Sequence, residues 1–406
     1  MFMNYFIIRY PLAPIVFIVV FFSFAFANQN SDTSDQNRDS STSTSTIQHL
    51  KVYNQEGRFA GWPANNGIWS WGDEILVGFV EAEHYETEGF HTYNRETARN
   101  KYARSLDGGA TWEISDANDL GQTGWAYDNN LPEDQTEEPA VLDEPIKDFS
   151  NPDFLITWLR YDVNHGPSIF YYSSNRGHEW HGPYQFPNLY TRGIGTRTDY
   201  IVDGPQQLSA FHNAAKENER EGWILHSRTN DGGVTWELVS WFRNEEPEGF
   251  EIMPSTIRIS SSEILSVVRA RDLNPRRDYI KAYRSVDNGE SWNEETEPVF
   301  DTGSGGSPPA LLQMNDGRLA LAYAYRSQYG SRICLRISDD NGKSWSHEIP
   351  IRTGDRANAD IGYPRMVQRE DGKLVIIYYW NHAANPNAKP YRYIAASIVD
   401  LNELDA

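Results

Sequence analysis

Short apolar runs joined by tight polar turns recur along most of this chain. Four clear examples lie at residues 66–79, 255–271, 310–326 and 365–380. In each, two apolar stretches flank a turn rich in Asp, Gly or Ser, a pattern typical of a β-hairpin. Helical periodicity over a useful length does not occur in the sequence, so the pattern predicts an all-β protein.

A polar motif that ends in tryptophan follows most of these hairpins. It reads SLDGGATW at residues 105–112, TNDGGVTW at 229–236, SVDNGESW at 285–292 and SDDNGKSW at 338–345, with a degenerate copy, SNRGHEW, at 174–180. The Asp can accept hydrogen bonds from the backbone of its own turn, the glycines allow positive φ, and the Trp is a large apolar anchor. The ligand spacing does not match a calcium loop. We therefore interpret the motif as a structural turn.

The motif returns about every 55 residues, which predicts an array of similar units. Two strands before each motif, one leading into it and one after its Trp make four antiparallel strands per unit. Such units around an axis are the blades of a β-propeller. Five units carry the motif, and a hairpin at 362–381 with a strand at 391–400 adds a sixth, which we expect the segment at 49–53 to complete. The prediction is a six-bladed β-propeller.

The first 46 residues differ from the rest of the chain. Residues 11–24 are almost wholly apolar, and Ala25-Phe26-Ala27 supplies the small-x-small pattern of a signal peptidase site. The apolar run is shorter than the ~20 residues of a spanning helix, which argues against a retained membrane anchor. Residues 28–46 are polar and of low complexity, as in a disordered linker. We predict a signal peptide at 1–27, a linker at 28–46 and a propeller domain at 47–406. The mature protein would be secreted or periplasmic and would not be bound to a membrane.

Charge and composition narrow the range of partners. The chain has 57 acidic and 36 basic residues and a net charge of −21, which argues against nucleic acid as a ligand. Cys334 is the only cysteine, so no intrachain disulfide can form. The sequence has neither an HExxH motif nor paired His or Cys at ligand spacing, so we predict no metal and no cofactor. We expect a monomer that binds a glycan.

Strand topology indicates where a ligand would bind. In an up-and-down blade, the first strand starts and the second strand ends at one mouth of the central channel, while the Trp motif lies at the other. Arg or His recurs at this position in six successive units, which predicts a binding mouth. At the ends of second strands the candidates include Glu81, Glu83, His84, Arg160, His212, Arg269, Arg271, Arg326 and His382. At the starts of first strands they include Trp62, Asn65, Arg197, Glu251, Tyr363 and Arg365.

The repeated motif, S/T-x-D-x-G-x-T/S-W, resembles the Asp box of the sialidase superfamily, and the chain is identified as a divergent member of it. The resemblance implies a six-bladed propeller that acts on glycans, especially anionic ones. It places Tyr363, in DIGYPRM, at the nucleophile position, since sialidases use Tyr there. It gives Glu251, in FEIMPS, the role of taking the proton of that Tyr. It also places Arg269 or Arg271 in the arginine triad that grips a carboxylate.

Other positions depart from the family pattern. The first-blade arginine is replaced by Gly61-Trp62-Pro63, unless Arg58 substitutes for it, and the fifth-blade arginine is replaced by Gly, Ser and Pro at 305–309. Arg326 or Arg365 would then supply positive charge from elsewhere. The candidates for the acid that protonates the leaving oxygen are Glu81, Glu83 and His84.

These observations are compatible with three functions. The first is an exported, exo-acting glycosidase on a glycan with an anionic sugar, which requires Tyr363 and Glu251 within hydrogen-bond reach. The second is a lyase or dehydratase on uronic-acid oligosaccharides, in which a His near an Arg abstracts a proton. Its motivation is the set of histidines His84, His91, His212 and His382. The third is a non-catalytic glycan-binding propeller with sugar-stacking aromatic residues, Trp62, Trp380 and Tyr363.

Overall fold

Six small antiparallel sheets surround a common centre in the computed structural model, so the predicted six-bladed propeller is confirmed. The structure describes residues 47–85, 91–123, 138–328, 330–354, 358–382 and 391–404. The signal peptide and linker predicted for residues 1–46 lie outside the described residues. Within the described part of the chain, the two α-helices, α1 (Pro63–Asn66) and α2 (Leu401–Leu404), are four residues each, far too short to cross a bilayer.

The blades follow one another along the chain. Within each blade the strands are given from the centre of the propeller outwards. Blade 1 has β2 (Arg58–Gly61), β3 (Ile68–Trp71), β4 (Glu74–Glu83), β5 (Arg99–Ser105) and β6 (Glu113–Asp116). Blade 2 has β7 (Leu155–Arg160), β8 (Ser168–Ser173) and β9 (His181–Phe186). Blade 3 has β10 (Ile194–Gly195), β11 (Tyr200–Gly204), β12 (Gln207–Ala215), β13 (Glu221–Thr229) and β14 (Glu237–Trp241).

The remaining blades keep the predicted four strands. Blade 4 has β15 (Phe250–Arg258), β16 (Ile264–Leu273), β17 (Arg276–Ser285) and β18 (Asn293–Glu294). Blade 5 has β19 (Ala310–Gln313), β20 (Leu319–Tyr325), β21 (Arg332–Ser338) and β22 (Ile349–Arg352). Blade 6 has β23 (Gly362–Gln368), β24 (Leu374–His382), β25 (Tyr391–Val399) and β1 (Ile47–Tyr53).

Three blades differ from a regular four-strand unit. In blades 1 and 3 the innermost strand is split in two, so that β2 and β3 both pair with β4, and β10 and β11 both pair with β12. Among the described residues blade 2 has three strands rather than the predicted four. The irregular backbone at the splits lies at the same mouth as the strand ends that the sequence singled out.

The ring closes as predicted, through pairing of the first strand with the last. β1 runs antiparallel to β25, with Ile47 opposite Val399 and Leu50 opposite Ala396. The sheet of blade 6 therefore joins the first and last strands of the described domain by backbone hydrogen bonds.

The eight-residue motif, here called the Asp-box turn, connects the third and fourth strands of its blade. In blade 1, Asp107 accepts hydrogen bonds from the backbone and hydroxyl of Thr111 at 2.8 and 2.6 Å and from the hydroxyl of Ser105 at 2.8 Å. These bonds, led by the one from the Thr111 hydroxyl, lower the pKa of Asp107 to about 2. The same bonds recur around Asp231, Asp287 and Asp340. The structural reading of the motif is therefore correct.

The degenerate copy in blade 2 begins one residue earlier than the sequence suggested. Its opening serine is Ser173, not Ser174, because Ser173 accepts a hydrogen bond from the backbone of Gly177. Asn175 takes the place of the Asp and accepts from the backbone of Glu179 at 3.0 Å. The uncharged side-chain amide of Asn175 therefore accepts this hydrogen bond in place of the Asp carboxylate.

The tryptophan of each turn packs onto the preceding blade. Trp180 of blade 2 stacks on Tyr102 of blade 1 with ring centroids 5.4 Å apart, and Trp292 of blade 4 lies 4.1 Å from Phe242, which follows the last strand of blade 3. Trp112 of blade 1 joins the core cluster that contains Val375 of blade 6. The repeated Trp thus fills the seams between blades with apolar contacts.

Candidate active site

A cavity of about 390 Å³, here called the hub cavity, opens at the mouth opposite the Asp-box turns. Its wall includes Trp62 and Asn65 of blade 1, Arg160 at the end of β7, Arg197 and Glu221 of blade 3 and Tyr363 of blade 6. His91, Tyr93 and Arg95, from the irregular segment between β4 and β5, complete the wall. The binding mouth predicted from strand topology therefore contains a real cavity, set towards blades 1, 2, 3 and 6.

Strained backbone presents two of the aromatic residues to this cavity. Trp62 and Tyr363 have φ of 60° and 52°, and each precedes a proline at the inner strand of its blade. Met253, also followed by proline, has φ of 55° at the matching place in blade 4. A bulky residue in this region costs about 1–3 kcal/mol and persists only where the surrounding structure imposes it. Such outliers concentrate at functional sites, which makes Trp62 and Tyr363 strong candidates.

A largely buried ion pair, in which the side chain of Glu221 keeps 17% of its surface exposed, forms one side of the cavity. Arg197 donates two hydrogen bonds to the carboxylate of Glu221, at 2.6 and 3.1 Å, and Asn213 donates a third at 2.8 Å. Burial favours the neutral acid, but the charge and hydrogen bonds of Arg197, together with the charge of Arg160, hold the pKa of Glu221 below its usual value. Glu221 is therefore ionised, and the bidentate geometry fixes the Arg197 guanidinium, which also contacts Asn65.

A second pair, between His91 and Asp360, lies on the opposite side. Nδ1 of His91 is 3.1 Å from Oδ1 of Asp360, and the backbone N–H of His91 donates to Oδ2 at 2.9 Å. Arg392 and the hydroxyl of Tyr379 also bind this carboxylate, at 2.8 and 2.7 Å. Burial opposes ionisation of Asp360, but the bond and charge of His91 and the charge of Arg392 lower its pKa far below the usual range. With Nδ1 held, Nε2 is the nitrogen through which His91 can exchange a proton with a ligand.

Cations surround the hydroxyl and ring of Tyr363. Nη1 of Arg269 donates to the Tyr363 hydroxyl at 3.4 Å, and the Arg326 guanidinium lies 5.4 Å from the ring centroid. The Tyr363 side chain is largely buried, with 9% exposure. Both guanidinium groups lie where they would stabilise negative charge that develops on the Tyr363 oxygen during a nucleophilic attack.

The structure separates Glu251 from Tyr363. Glu251 lies opposite Ala270 on the neighbouring strand, whereas Arg269 lies opposite Ile252, so the two side chains project from opposite faces of blade 4. The Glu251 carboxylate accepts from the hydroxyl of Tyr283 at 2.6 Å, and from Arg243 and Lys281. None of the hydrogen bonds between described residues joins Glu251 to Tyr363, so the contact that the glycosidase hypothesis required is not formed.

The three acid candidates of blade 1 also lie away from the hub cavity. Glu81 is bonded to Arg58 and to the hydroxyl of Tyr53 in the seam with blade 6, and Glu83 contacts the same Arg58 at 3.8 Å. This pairing also accounts for Arg58, which does not reach the cavity wall. His84 pairs with Tyr93 across an isolated bridge, and its Nδ1 lies 3.4 Å from the hydroxyl of Thr92.

The other predicted binding residues divide into two groups. Trp62, Asn65 and Arg160 line the cavity. Three arginines make structural contacts: Arg271 with Asp278, Arg326 with the carbonyl of Ile361, and Arg365 with the carbonyls of Ala64 and Thr198. His212 is buried between Trp158 and Phe186, and burial lowers its pKa to about 3. His382 ends β24, and its side chain lies outside the described residues.

Four residues of the site were not singled out from the sequence. Glu221 starts a third strand, and third strands also start at this mouth, so extending the topological argument by one strand would have found it. Asp360 lies three residues before Tyr363 and is the acidic residue nearest to it in sequence. Tyr93 and Arg95 lie in a segment without a counterpart in other blades, so nothing in the repeat marks them.

Residues 148–376 match the family described as the BNR repeat-like domain. No curated protein matches the chain in sequence. A protein of unknown function from Dyadobacter fermentans is 19% identical, with a TM-score of 0.62 over 87% of this chain and 98% of its own. Trypanosoma rangeli sialidase in complex with sialic acid is 13% identical, with a TM-score of 0.52 over 88% of this chain and 59% of its own.

Penicillium chrysogenum α-L-arabinanase complexed with arabinobiose is also 13% identical, with a TM-score of 0.54 over 87% of this chain and 98% of its own. At these identities the likenesses establish the fold, which sialidases and arabinanases have in common. These likenesses agree with the family match and with the four Asp-box turns. The chain belongs to the BNR repeat-like domain family, as a divergent member of the sialidase-type six-bladed propellers.

Proposed function

We propose that this protein is an exo-acting glycoside hydrolase that removes an acidic sugar from the end of an oligo- or polysaccharide. One observation carries the proposal: Tyr363, with Arg269 at its hydroxyl, faces the same cavity as Arg160 and Arg197. Arginines suit a carboxylate because their planar fork can bind it in a bidentate manner. A bounded pocket at the mouth of the propeller, rather than a groove along its surface, is suited to the end of a chain.

In the proposed reaction Tyr363 is the nucleophile. Its oxygen forms a bond with the anomeric carbon as the glycosidic C–O bond breaks, and a neutral nucleophile avoids repulsion from a carboxylate on the sugar. Glu221, the ionised carboxylate in the cavity wall, takes the proton that Tyr363 loses, in place of Glu251. Arg269 stabilises the phenolate as its charge develops.

His91 is the proposed acid and base. In its protonated form it gives a proton to the leaving oxygen, and in its neutral form it then activates the water that cleaves the tyrosyl–sugar bond. Asp360 holds the imidazole ring in place, with Nδ1 towards its carboxylate. This arrangement supplies the function that the sequence assigned to Glu81, Glu83 or His84.

The His91–Asp360 pair also favours a second candidate, a lyase or dehydratase on uronic-acid oligosaccharides. Neutral His91 would take the proton next to the sugar carboxylate while Arg160 or Arg197 neutralises that carboxylate. Tyr363 would protonate the leaving oxygen, and a carbon–carbon double bond would form. Both candidates agree with export by the leader predicted at residues 1–27, which gives access to external glycans.

Product analysis on a panel of sialylated and uronic-acid-containing oligosaccharides tests the proposal. A hydrolase releases a reducing sugar without new ultraviolet absorbance. A lyase creates a double bond conjugated to a carboxylate, and the rise in absorbance would replace the first candidate by the second. Binding without turnover on any member of the panel would contradict both and support the glycan-binding propeller.

A further inference from the structure

A cluster of three aromatic rings lies on the rim of blade 3, at the mouth where the hub cavity opens. Trp223 and Trp241 stack face to face with centroids 3.9 Å apart, and Tyr190 meets Trp241 edge-on at 4.9 Å. All three side chains are half-buried, so each keeps solvent-accessible surface. We call these residues the aromatic platform.

Topology places the platform at the same mouth as the cavity. Trp223 lies near the start of a third strand and Trp241 ends a fourth strand, while Tyr190 lies in the segment from β9 to β10. Trp223 is two residues from Glu221 of the cavity wall, with a register shift between them, so their backbones are no more than about 7 Å apart. That backbone separation corresponds to one or two sugar units.

Hydrogen bonds hold the platform rigidly. The indole N–H of Trp223 donates to the carbonyl of Arg243 at 3.2 Å, and Lys216 donates to three successive carbonyls, those of Pro247, Glu248 and Gly249. The Tyr190 segment is held through Gly193, whose carbonyl accepts from Ala215 and whose N–H donates to Tyr190. Rigid aromatic surfaces bind with little loss of conformational entropy.

The core of the propeller does not account for all three rings. Tyr190 and Trp241 pack from outside against the cluster of blades 2 and 3, whereas Trp223 belongs to none of the apolar clusters among the described residues. An aromatic surface of this kind, rimmed by polar groups such as the Arg192–Glu246 ion pair, is suited to an amphipathic ligand.

We infer that the aromatic platform is a second sugar subsite, which stacks on the ring of a neutral pyranose one or two units from the acidic sugar in the hub cavity. The inference rests on the proposed function for the identity of the first sugar. A pyranose has an apolar face of C–H groups that covers an indole ring, while its hydroxyls reach the polar rim. The platform would therefore select glycan length, whereas the cavity selects charge.

Calorimetric binding of an acidic monosaccharide and of oligosaccharides of two to four units that carry the same sugar at their end tests the inference. In the wild-type protein affinity should rise with length. In Trp241→Ala the rise should disappear, a loss of about tenfold for the longest ligand, with monosaccharide affinity unchanged. Trp241→Phe should keep most of the gain. Tyr190→Ala gives a second test if Trp241→Ala does not fold. Trp71→Ala, which removes a half-buried Trp at the Asp-box mouth, is the matched control.

Two results would overturn the inference. One is a wild-type affinity that does not rise with length, even if the monosaccharide binds or an oligosaccharide is cleaved. The other is a parallel loss for all lengths in Trp241→Ala, since that would make the platform a structural support of the cavity. A length-dependent gain on neutral oligosaccharides, lost in Trp241→Ala without any binding of the acidic monosaccharide, would support the platform and contradict the proposed function.

Discussion

At the mouth with the Asp-box turns, four blades repeat the same hydrogen bonds around Asp107, Asp231, Asp287 and Asp340. At the mouth with the hub cavity, each contributing blade presents a different set of side chains, and the inner strands of blades 1 and 3 are interrupted. The first mouth uses local, repeated bonds to build the blades. The second holds the Arg197–Glu221 pair within blade 3, the His91–Asp360 pair that joins blades 1 and 6, and the left-handed backbone of Trp62 and Tyr363. Changes at the two mouths should therefore affect different measurements.

Tyr363→Phe should give the largest difference between the effect on turnover and the effect on stability. Removal of the hydroxyl deletes the proposed nucleophile while the ring keeps its packing, so kcat should fall by about 10³-fold or more. Turnover on the best substrate of the panel and the melting temperature measure the two effects. Tyr325→Phe, another tyrosine at a strand end of this mouth, stacked with Arg332, is the control. Unchanged turnover in Tyr363→Phe would exclude it as the nucleophile.

His91→Gln should lower kcat by about 100-fold or more, because the proton transfer at the leaving oxygen is lost. Asp360→Asn should reduce the same rate constant and also destabilise the fold by roughly 3–5 kcal/mol, because Arg392 would lose its buried partner. His84→Gln should leave turnover unchanged. A larger loss in His84→Gln than in His91→Gln would restore the acid that the sequence suggested. Steady-state kinetics and chemical denaturation are the measurements.

At the other mouth, Asp107→Ala should lower stability by about 1 kcal/mol and leave kcat unchanged. The variant removes the carboxylate that accepts hydrogen bonds from Thr111 and Ser105. Thr111 can bond to water instead, and Ser105 keeps its other hydrogen bonds within the turn. For a domain of this size the melting temperature should fall by only about 1–3 °C. A marked loss of activity at full stability would mean that the two mouths are coupled.

The smallest effect is expected from Asp107→Asn. Blade 2 already uses Asn175 in this position, so stability near neutral pH should change little. The pKa of Asp107 is lowered to about 2 in the fold, below the ~3.9 of an unfolded chain, so its stabilising contribution is present above pH ~4 and is lost as the pH falls towards 2. Asp107→Asn should therefore lose less stability than the wild type over that range. Thermal melts at intervals from pH 6 to about 2 would measure this, and identical pH dependence in both proteins would contradict it.

The local character of the Asp-box mouth also explains why the sequence predicts the fold well. Each Asp-box turn contains its own hydrogen-bond partners within eight residues, so the motif, the blade and the period can be recognised locally. Ring closure could be predicted as well, because the last unit has one strand too few and the segment before the first blade can supply it. The repeat supplies an expectation for every blade, and the departures among the described residues are the split inner strands of blades 1 and 3 and the three-stranded sheet of blade 2.

The site depends on pairing that no local pattern encodes. Glu251 has the right sequence context, yet strand alternation places it on the face of blade 4 away from Arg269 and Tyr363. Glu221 becomes a site residue because Arg197, from an interrupted strand, reaches it. His91 and Asp360 are 269 residues apart and meet only across the junction between blades 6 and 1. Arrangements of this kind require the closed ring.

The junction between blades 6 and 1 affects how the proposed activity would depend on folding. Tyr363 and Asp360 belong to blade 6, which is complete only when β1 pairs with β25, and the bond between His49 and Ser397 in that pairing spans 348 residues. Loop closure over such a separation is a late and slow event in folding. The proposed catalytic activity would therefore require a closed ring. A variant that lacks the first strand should be inactive under conditions in which the rest of the propeller is still folded.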